Sequence, residues 1–119
     1  MLRCGIDAIE IDRVAASYNR FGDRFLRRFF TPPEAAYCNG QPHRLAARIA
    51  AKEAVAKALG TGIGDVSWQE IEIYHDGRGR PLLRLHGAAA DVASEFGLTE
   101  WDISLTHSET VASAICVMR

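Results

Sequence analysis

The chain has few cysteines and no long apolar run, and these two absences exclude several classes of protein. Its 119 residues include only three cysteines, without a C-x-x-C spacing, which argues against a disulfide framework and a zinc site. No apolar run approaches the length of a membrane-spanning helix, and the first ten residues, MLRCGIDAIE, lack the apolar core of a signal peptide. We therefore expect a cytoplasmic protein with reduced thiols and no membrane segment.

The chain as a whole also lacks an excess of either charge, but its charges are unevenly distributed. The formal net charge is −1, yet residues 13–28 hold five arginines and a single acid, Asp23. A local basic patch on a near-neutral protein favours an acidic protein partner over nucleic acid. The length is that of one domain, which we place at residues 1–119.

Apolar periodicity and turn residues predict an α+β domain. In the first half we expect a strand over residues 2–7, a helix over 12–29 that Gly22 divides, a short helix capped by Thr31 and Glu34, and a long helix over 43–59 ended by Gly60. In the second half we expect strands over 67–75 and 81–86, a helix over 87–96, and two final strands over 101–107 and 110–118.

The long predicted helix carries four charged residues among small alanines. Arg48 and Lys52 are four residues apart, as are Glu53 and Lys57, so each pair shares a face of the helix. One interpretation is that these are solvated helix charges, whose pairwise interactions are worth only about a few tenths of a kcal/mol each. The other is a functional site, because the small alanines around Glu53 and Lys57 let another backbone or a ligand come close.

Asp7 is predicted at the end of the first strand, where it would serve as a helix N-cap or as a rigidly held carboxylate. Paired with Glu53, Asp7 would suit a magnesium ion, which takes one or two carboxylates together with phosphate oxygens and water. The sequence does not show whether the two residues meet.

The segment GTGIG follows the long helix and is not a Walker loop, which precedes its helix. A helix C-cap and a turn explain these glycines. Alternatively, their backbone amides would form an anion-binding nest with Lys57 as the countercharge. His107 is predicted at the end of a strand, where it would have a structural or a binding role. The other three histidines, His43, His75 and His86, form no pattern in the sequence.

Five short motifs follow one another along the chain: GIDAIEIDRV, RFLRRFFTPPEAAYC, RIAAKEAVAKALGTGIG, GRP at 79–81 and ISLTHS at 103–108. Together they resemble the motifs of the holo-acyl-carrier-protein synthases, the small single-domain members of the phosphopantetheinyl transferase superfamily. The resemblance extends from Gly5 to about Val117. It implies the phosphopantetheinyl transferase fold, a small antiparallel sheet packed against a long helix, assembled as a trimer.

The resemblance implies transfer of the 4′-phosphopantetheine group of coenzyme A to a serine of apo acyl carrier protein, with adenosine 3′,5′-bisphosphate as the other product. Asp7 and Glu53 would hold Mg²⁺, Lys57 would contact the phosphates, and Glu53 or a water that it orients would take the serine proton. The residues implied in coenzyme A binding are Arg48, Lys57, Gly60, Thr61, Gly62, Pro81 and His107.

The same resemblance assigns roles to the basic patch and to the subunit contacts. Arg48 would reach coenzyme A from a neighbouring subunit of the trimer. The residues implied in docking of the acidic carrier are Arg13, Arg20, Arg24 and Arg28.

Two other functions stay open on the residues alone. One is a metal-dependent pyrophosphate hydrolase, and the other is a non-catalytic nucleotide-binding or assembly domain. Neither requires an arginine-rich face for an acidic protein, so the basic patch favours the transferase.

Overall fold

The computed structural model describes residues 1–119 and has an α+β architecture built around one long helix. The helices are α1 (Ile11–Phe21), α2 (Asp23–Phe29), α3 (Pro32–Cys38), α4 (Pro42–Leu59) and α5 (Gly87–Glu95). The strands are β1 (Arg3–Glu10), β2 (Ile71–His75), β3 (Pro81–Leu85), β4 (Trp101–His107) and β5 (Val111–Met118). No helix combines the length and the apolar character needed to cross a membrane.

The strands form two antiparallel sheets. The larger sheet has the order β1-β5-β4, and β2 and β3 form a separate hairpin. Inward-facing side chains of the larger sheet pack on α4, so its central strand β5 buries Ala112, Ala114, Cys116 and Met118. The predicted sheet packed against a long helix is confirmed, with the hairpin as a second, smaller sheet.

Strand β1 is longer than the sequence predicts. We expected it over residues 2–7 with Asp7 at its end, but its pairing with β5 continues from Arg3 to Glu10 and sets Asp7 opposite Ala114. The expectation was wrong because β5 supplies pairing partners beyond Asp7, which a local pattern does not reveal. Asp7 therefore lies within the strand, with residues paired to β5 before and after it, rather than at a strand end.

Local signals locate the helix boundaries well. Gly22 has φ 55° and ψ −125°, a conformation that favours glycine, and it separates α1 from α2. Thr31 and Glu34 form the predicted capping box, and Gly60 ends α4 in the left-handed region. Phe21, Phe25 and Phe29 recur every four residues, which predicts one apolar stripe, but the break leaves it incomplete: Phe25 is buried, whereas Phe21 is 42% exposed.

The segment before the hairpin also differs from prediction. Residues 68–70 form one turn of 3₁₀ helix capped by Ser67 and Glu70, and the strand begins only at Ile71. Polar and apolar residues alternate from Glu70 to Ile73, which predicts a half-buried strand, but Ile71, Glu72 and Ile73 are all buried. Glu72 tolerates burial because it accepts hydrogen bonds from Thr31 Oγ1 and His86 Nε2, both at 3.0 Å.

Strand β1 crosses α4 with no side chain between the two backbones at Gly5. A Cβ atom at Gly5 would lie 1.9 Å from the carbonyl oxygen of Ala54 and 2.8 Å from the amide nitrogen of Ala58. The helix surface at the crossing consists of alanines that are themselves buried. This close approach fixes the distance between β1 and α4. Asp7, two residues after Gly5, lies on the same face of the strand and therefore also faces α4.

We predict that Gly5→Ala lowers the free energy of unfolding by about 1–3 kcal/mol or more, because the added methyl group has no space without moving the backbone. Denaturant unfolding measures the change. Gly77→Ala is the matched control, since a methyl group there meets no atom within 4 Å. Equal stability of the two variants would contradict the close-packing argument.

Candidate active site

Asp7, Glu53 and Lys57 meet where β1 crosses α4. Lys57 Nζ donates to Asp7 Oδ1 at 3.1 Å and to the carbonyl oxygen of Ile6 at 2.9 Å. The Lys57 side chain is 55% exposed, whereas that of Asp7 is only 13% exposed. Lys57 therefore pairs with Asp7 and not with Glu53 on its own helix, and its ammonium group remains open to solvent.

The carboxyl groups of Asp7 and Glu53 lie close enough to interact directly. Partial burial, a hydrogen bond with Asp7 and repulsion by the Asp7 charge raise the pKa of Glu53 to about 7. Because two neighbouring carboxylates repel each other when both are ionised, a cation bound between them would be stabilised. The donor set fits Mg²⁺, because this ion needs only one or two carboxylates when phosphate oxygens and water complete its shell. Nowhere in the chain do three or more His, Cys, Asp or Glu side chains come together as a metal site, so the protein itself would supply only these two carboxylates.

A cavity of about 370 Å³ opens beside these carboxylates. Asp7 and Glu53 line one side, Arg13 and Arg28 contribute positive charge, and the aromatic rings of Phe25, Phe29 and Trp68 line the apolar part. An adjoining cavity is lined by Arg24, Arg28 and the exposed Phe21 among others. Three of the four arginines predicted to dock a carrier thus face the cavities next to the carboxylates, and Arg20 instead stacks on Phe21 with its guanidinium carbon 5.1 Å from the ring centroid.

A buried ion pair fixes α4 next to Glu53. The side chain of Lys52 is fully buried. Its Nζ donates to Glu34 Oε1 at 2.7 Å and to the carbonyl oxygen of Trp68 at 2.8 Å. Glu34 also accepts from the amides of Thr31 and Ile73. Burial lowers the pKa of Lys52, and the contact with Glu34 opposes that shift. The interpretation of Lys52 as a solvated helix charge was therefore wrong, because the side chain is buried and paired. Removing one partner of such a pair typically lowers the free energy of unfolding by about 3–5 kcal/mol.

Arg48 lies on another side of α4 and is also buried, with 6% exposure. Its guanidinium lies 4.4 Å from the ring centroid of Tyr37 and hydrogen-bonds to Nε2 of His75. Arg48 and His107 both line a cavity of about 220 Å³, together with His43 and Arg44. The rings of His43 and His107 are 4.8 Å apart. His43 and His107 therefore lie together, which the sequence did not show because they are on α4 and β4, whereas His86 pairs with Glu72.

The glycine-rich loop directly follows α4. The amides of Gly60, Thr61 and Gly62 all donate to the carbonyl oxygen of Ala56, at 3.0 to 3.4 Å. Of the two interpretations, the helix C-cap therefore describes these amides, and the alternative of an anion-binding nest does not fit them because the end of the helix uses them. The hydroxyl oxygen of Thr61 is buried without a hydrogen-bond partner. Pro81 lies opposite His75 in the hairpin.

Arg3 is a residue near this loop that the sequence did not indicate. Its Nη1 donates to the carbonyl oxygen of Leu59 at 2.8 Å, and its guanidinium carbon lies 4.0 Å from the ring centroid of Phe96. A cation at the C-terminal end of a helix satisfies free carbonyls and complements the helix dipole. Arg3 thereby ties the start of β1 to the end of α4.

Comparison with known proteins identifies relatives of the whole chain. The family model described as 4′-phosphopantetheinyl transferase superfamily matches residues 3–116. A holo-[acyl-carrier-protein] synthase of Herpetosiphon aurantiacus is 48% identical over 124 aligned positions, covering 98% of both chains. One from Moorella thermoacetica is 49% identical and covers 99% of this chain and 94% of its own.

Solved structures agree with these sequence relatives. The holo-[acyl-carrier-protein] synthase of Helicobacter pylori, solved in complex with coenzyme A, is 32% identical with a TM-score of 0.89, covering 98% of this chain and 99% of that one. The enzyme of Neisseria meningitidis is 36% identical with a TM-score of 0.88, covering 98% and 97%. On its motifs, its fold and these relatives, the chain belongs to the 4′-phosphopantetheinyl transferase superfamily, among the holo-[acyl-carrier-protein] synthases.

Proposed function

We propose that the chain transfers the 4′-phosphopantetheine group of coenzyme A to a serine of an apo acyl carrier protein in the cytoplasm, in a Mg²⁺-dependent reaction that releases adenosine 3′,5′-bisphosphate. The observation that carries the proposal is the convergence of Asp7, Glu53 and Lys57 beside a cavity flanked by arginines. Relatives that align along the whole chain and are named for this reaction support it.

The three residues divide the chemistry of phosphoryl transfer among them. Asp7 and Glu53 would hold Mg²⁺, which when bound neutralises negative charge on the pyrophosphate of coenzyme A. Lys57, tethered by Asp7 and the carbonyl of Ile6 but open to solvent, donates to a phosphate oxygen where charge builds up in the transition state. Glu53, facing the same cavity, accepts the serine proton directly or through a water.

The remaining coenzyme A contacts fall into two groups within one chain. Lys57 and the loop residues Gly60, Thr61 and Gly62 lie at the C-terminal end of α4. Arg48 and His107 line a cavity that shares no lining residue with the one beside Asp7. We infer that a complete site combines the first group from one subunit with Arg48 of its neighbour.

We predict that Asp7→Asn lowers the transfer rate by at least about 100-fold, because it removes a metal ligand and the carboxylate that tethers Lys57. Mass spectrometry of an apo carrier protein incubated with coenzyme A and Mg²⁺ measures transfer. Glu10→Gln, on the same strand but exposed, is the matched control.

Normal transfer by Asp7→Asn in the presence of a chelator would contradict the metal assignment. Release of adenosine 3′,5′-bisphosphate without any modified carrier would instead indicate a hydrolase.

The outer face of the larger sheet supports assembly as a trimer. Ile6, Ile115 and Val117 are 66%, 40% and 37% exposed on that face, and burying them against other subunits would add to a small core.

We predict that analytical ultracentrifugation gives a mass three times the 13.1 kDa of one chain. Ile115→Asp should shift the protein toward monomer and lower its activity. Thr99→Asp, which adds the same charge at an exposed loop, should change neither; a fully active monomer would exclude the shared site.

The arginines around the apolar cavity support docking of an acidic carrier. Charge reversal at Arg24 and Arg28 should raise the KM for carrier severalfold, because attraction between opposite charges speeds encounter and is screened by salt. The KM for coenzyme A should hardly change. Arg78→Glu, in the exposed turn between β2 and β3, is the control for a general loss of positive charge. Equal losses for both substrates, or a carrier KM that does not depend on salt, would contradict this docking surface.

A further inference from the structure

Arg48 is a nearly buried cation without an acidic partner. No carboxylate oxygen lies within 4.0 Å of its guanidinium, whereas Lys52 on the next turn has Glu34. Its neighbours are instead the Tyr37 ring and the His75 imidazole. A buried guanidinium is costly unless it is paired, so the neutral groups around Arg48 both support the charge and leave it free for an external anion.

His75 is fixed by two independent contacts. Its ring stacks on that of Tyr37, with centroids 3.9 Å apart and planes 12° apart. Its Nε2 faces the guanidinium of Arg48. Because every guanidinium nitrogen is a donor, Nε2 has to accept the hydrogen bond, which requires a neutral imidazole with its proton on Nδ1.

The charges around His75 favour that neutral form. From α4, Arg48 and Arg44 face it, and from α3 the neighbouring titratable groups are Tyr37 and Cys38. The only nearby acid is Asp76, next to His75 at the end of β2. Burial first, and then the two arginines, lower the pKa of His75, and burial raises the pKa of Cys38 to about 11, so neither group carries charge at neutral pH.

We propose that His75 is a positioning residue for Arg48: while its imidazole is neutral, it holds the guanidinium so that the remaining N–H groups face the cavity shared with Arg44 and His107, where a phosphate group of coenzyme A binds. The inference rests on the proposed function, because it assigns Arg48 to coenzyme A. Protonation of His75 would set an imidazolium against Arg48 and Arg44, and the guanidinium would lose its acceptor and its fixed orientation.

Two variants separate the hydrogen bond from the ring stack. His75→Phe keeps an aromatic ring against Tyr37 and removes the acceptor, whereas His75→Gln keeps an acceptor oxygen that does not titrate. Calorimetric titration with coenzyme A, without carrier protein, gives the Kd directly. We expect His75→Phe to weaken binding about tenfold or more at neutral pH, and His75→Gln to remain near wild type.

The pH profile distinguishes positioning from simple packing. In wild type the pKa of His75 is lowered, so the contribution of His75 is present at neutral pH and is lost as pH falls through that lowered pKa. Between about pH 8 and about pH 5.5, the Kd for coenzyme A should therefore rise more in wild type than in His75→Gln, in which only titration of the ligand and of other groups remains. Equal Kd values for His75→Phe and wild type, or parallel profiles for wild type and His75→Gln, would overturn the proposal.

A measurement on the free protein separates this inference from the proposed function. Nuclear magnetic resonance of the ring nitrogens should show His75 protonated on Nδ1 at neutral pH, and Arg48→Met should raise its pKa because a nearby cation is removed. A proton on Nε2, or a pKa unchanged in Arg48→Met, would overturn the positioning role even if transfer occurs. Coenzyme A binding that depends on His75 without any transfer to a carrier would contradict the proposed function and leave the positioning role supported.

Discussion

The close approach of β1 to α4 at Gly5 is the constraint on which the rest of the site depends. With no side chain between the backbones, the strand lies near enough for Asp7 to contact Lys57 and to perturb Glu53. A larger residue at position 5 would push the strand away and separate the groups proposed to hold a metal. Arg3, bonded to the last carbonyls of α4, ties the strand to the helix at its other end.

Helix α4 places charge on several sides, and each charge is held by a different kind of partner. Lys52 is neutralised inside the protein by Glu34, which anchors the helix to α3 and β2. Lys57 is tethered at one side and open at the other, as a group that binds phosphate needs to be. Arg48 is supported by neutral rings and is left without a carboxylate. The helix is therefore both the centre of the core and the frame of the proposed site, and alanine is its commonest residue because small side chains let other elements pack closely on several sides.

Local chemistry made much of the fold predictable. The capping box at Thr31, the break at Gly22 and the end of α4 at Gly60 each depend on residues within a few positions of one another. The extension of β1 beyond Asp7 depends on β5, more than 100 positions away. For the same reason the contacts of Lys52 with Glu34 and of Arg48 with His75 escaped prediction, and the proximity of Asp7 to Glu53 was expected only through family resemblance. Contacts across such separations leave no periodic trace in a sequence.

We propose that the crossing of β1 and α4 creates a cation site shared by Asp7 and Glu53 and directed at the pyrophosphate of coenzyme A. A crystal structure of the protein with coenzyme A and Mn²⁺, in which anomalous scattering locates the metal, would test this site. We expect an anomalous peak within bonding distance of a carboxylate oxygen from each residue and of the pyrophosphate. Bound coenzyme A with the metal elsewhere, or with its pyrophosphate remote from Lys57, would contradict it.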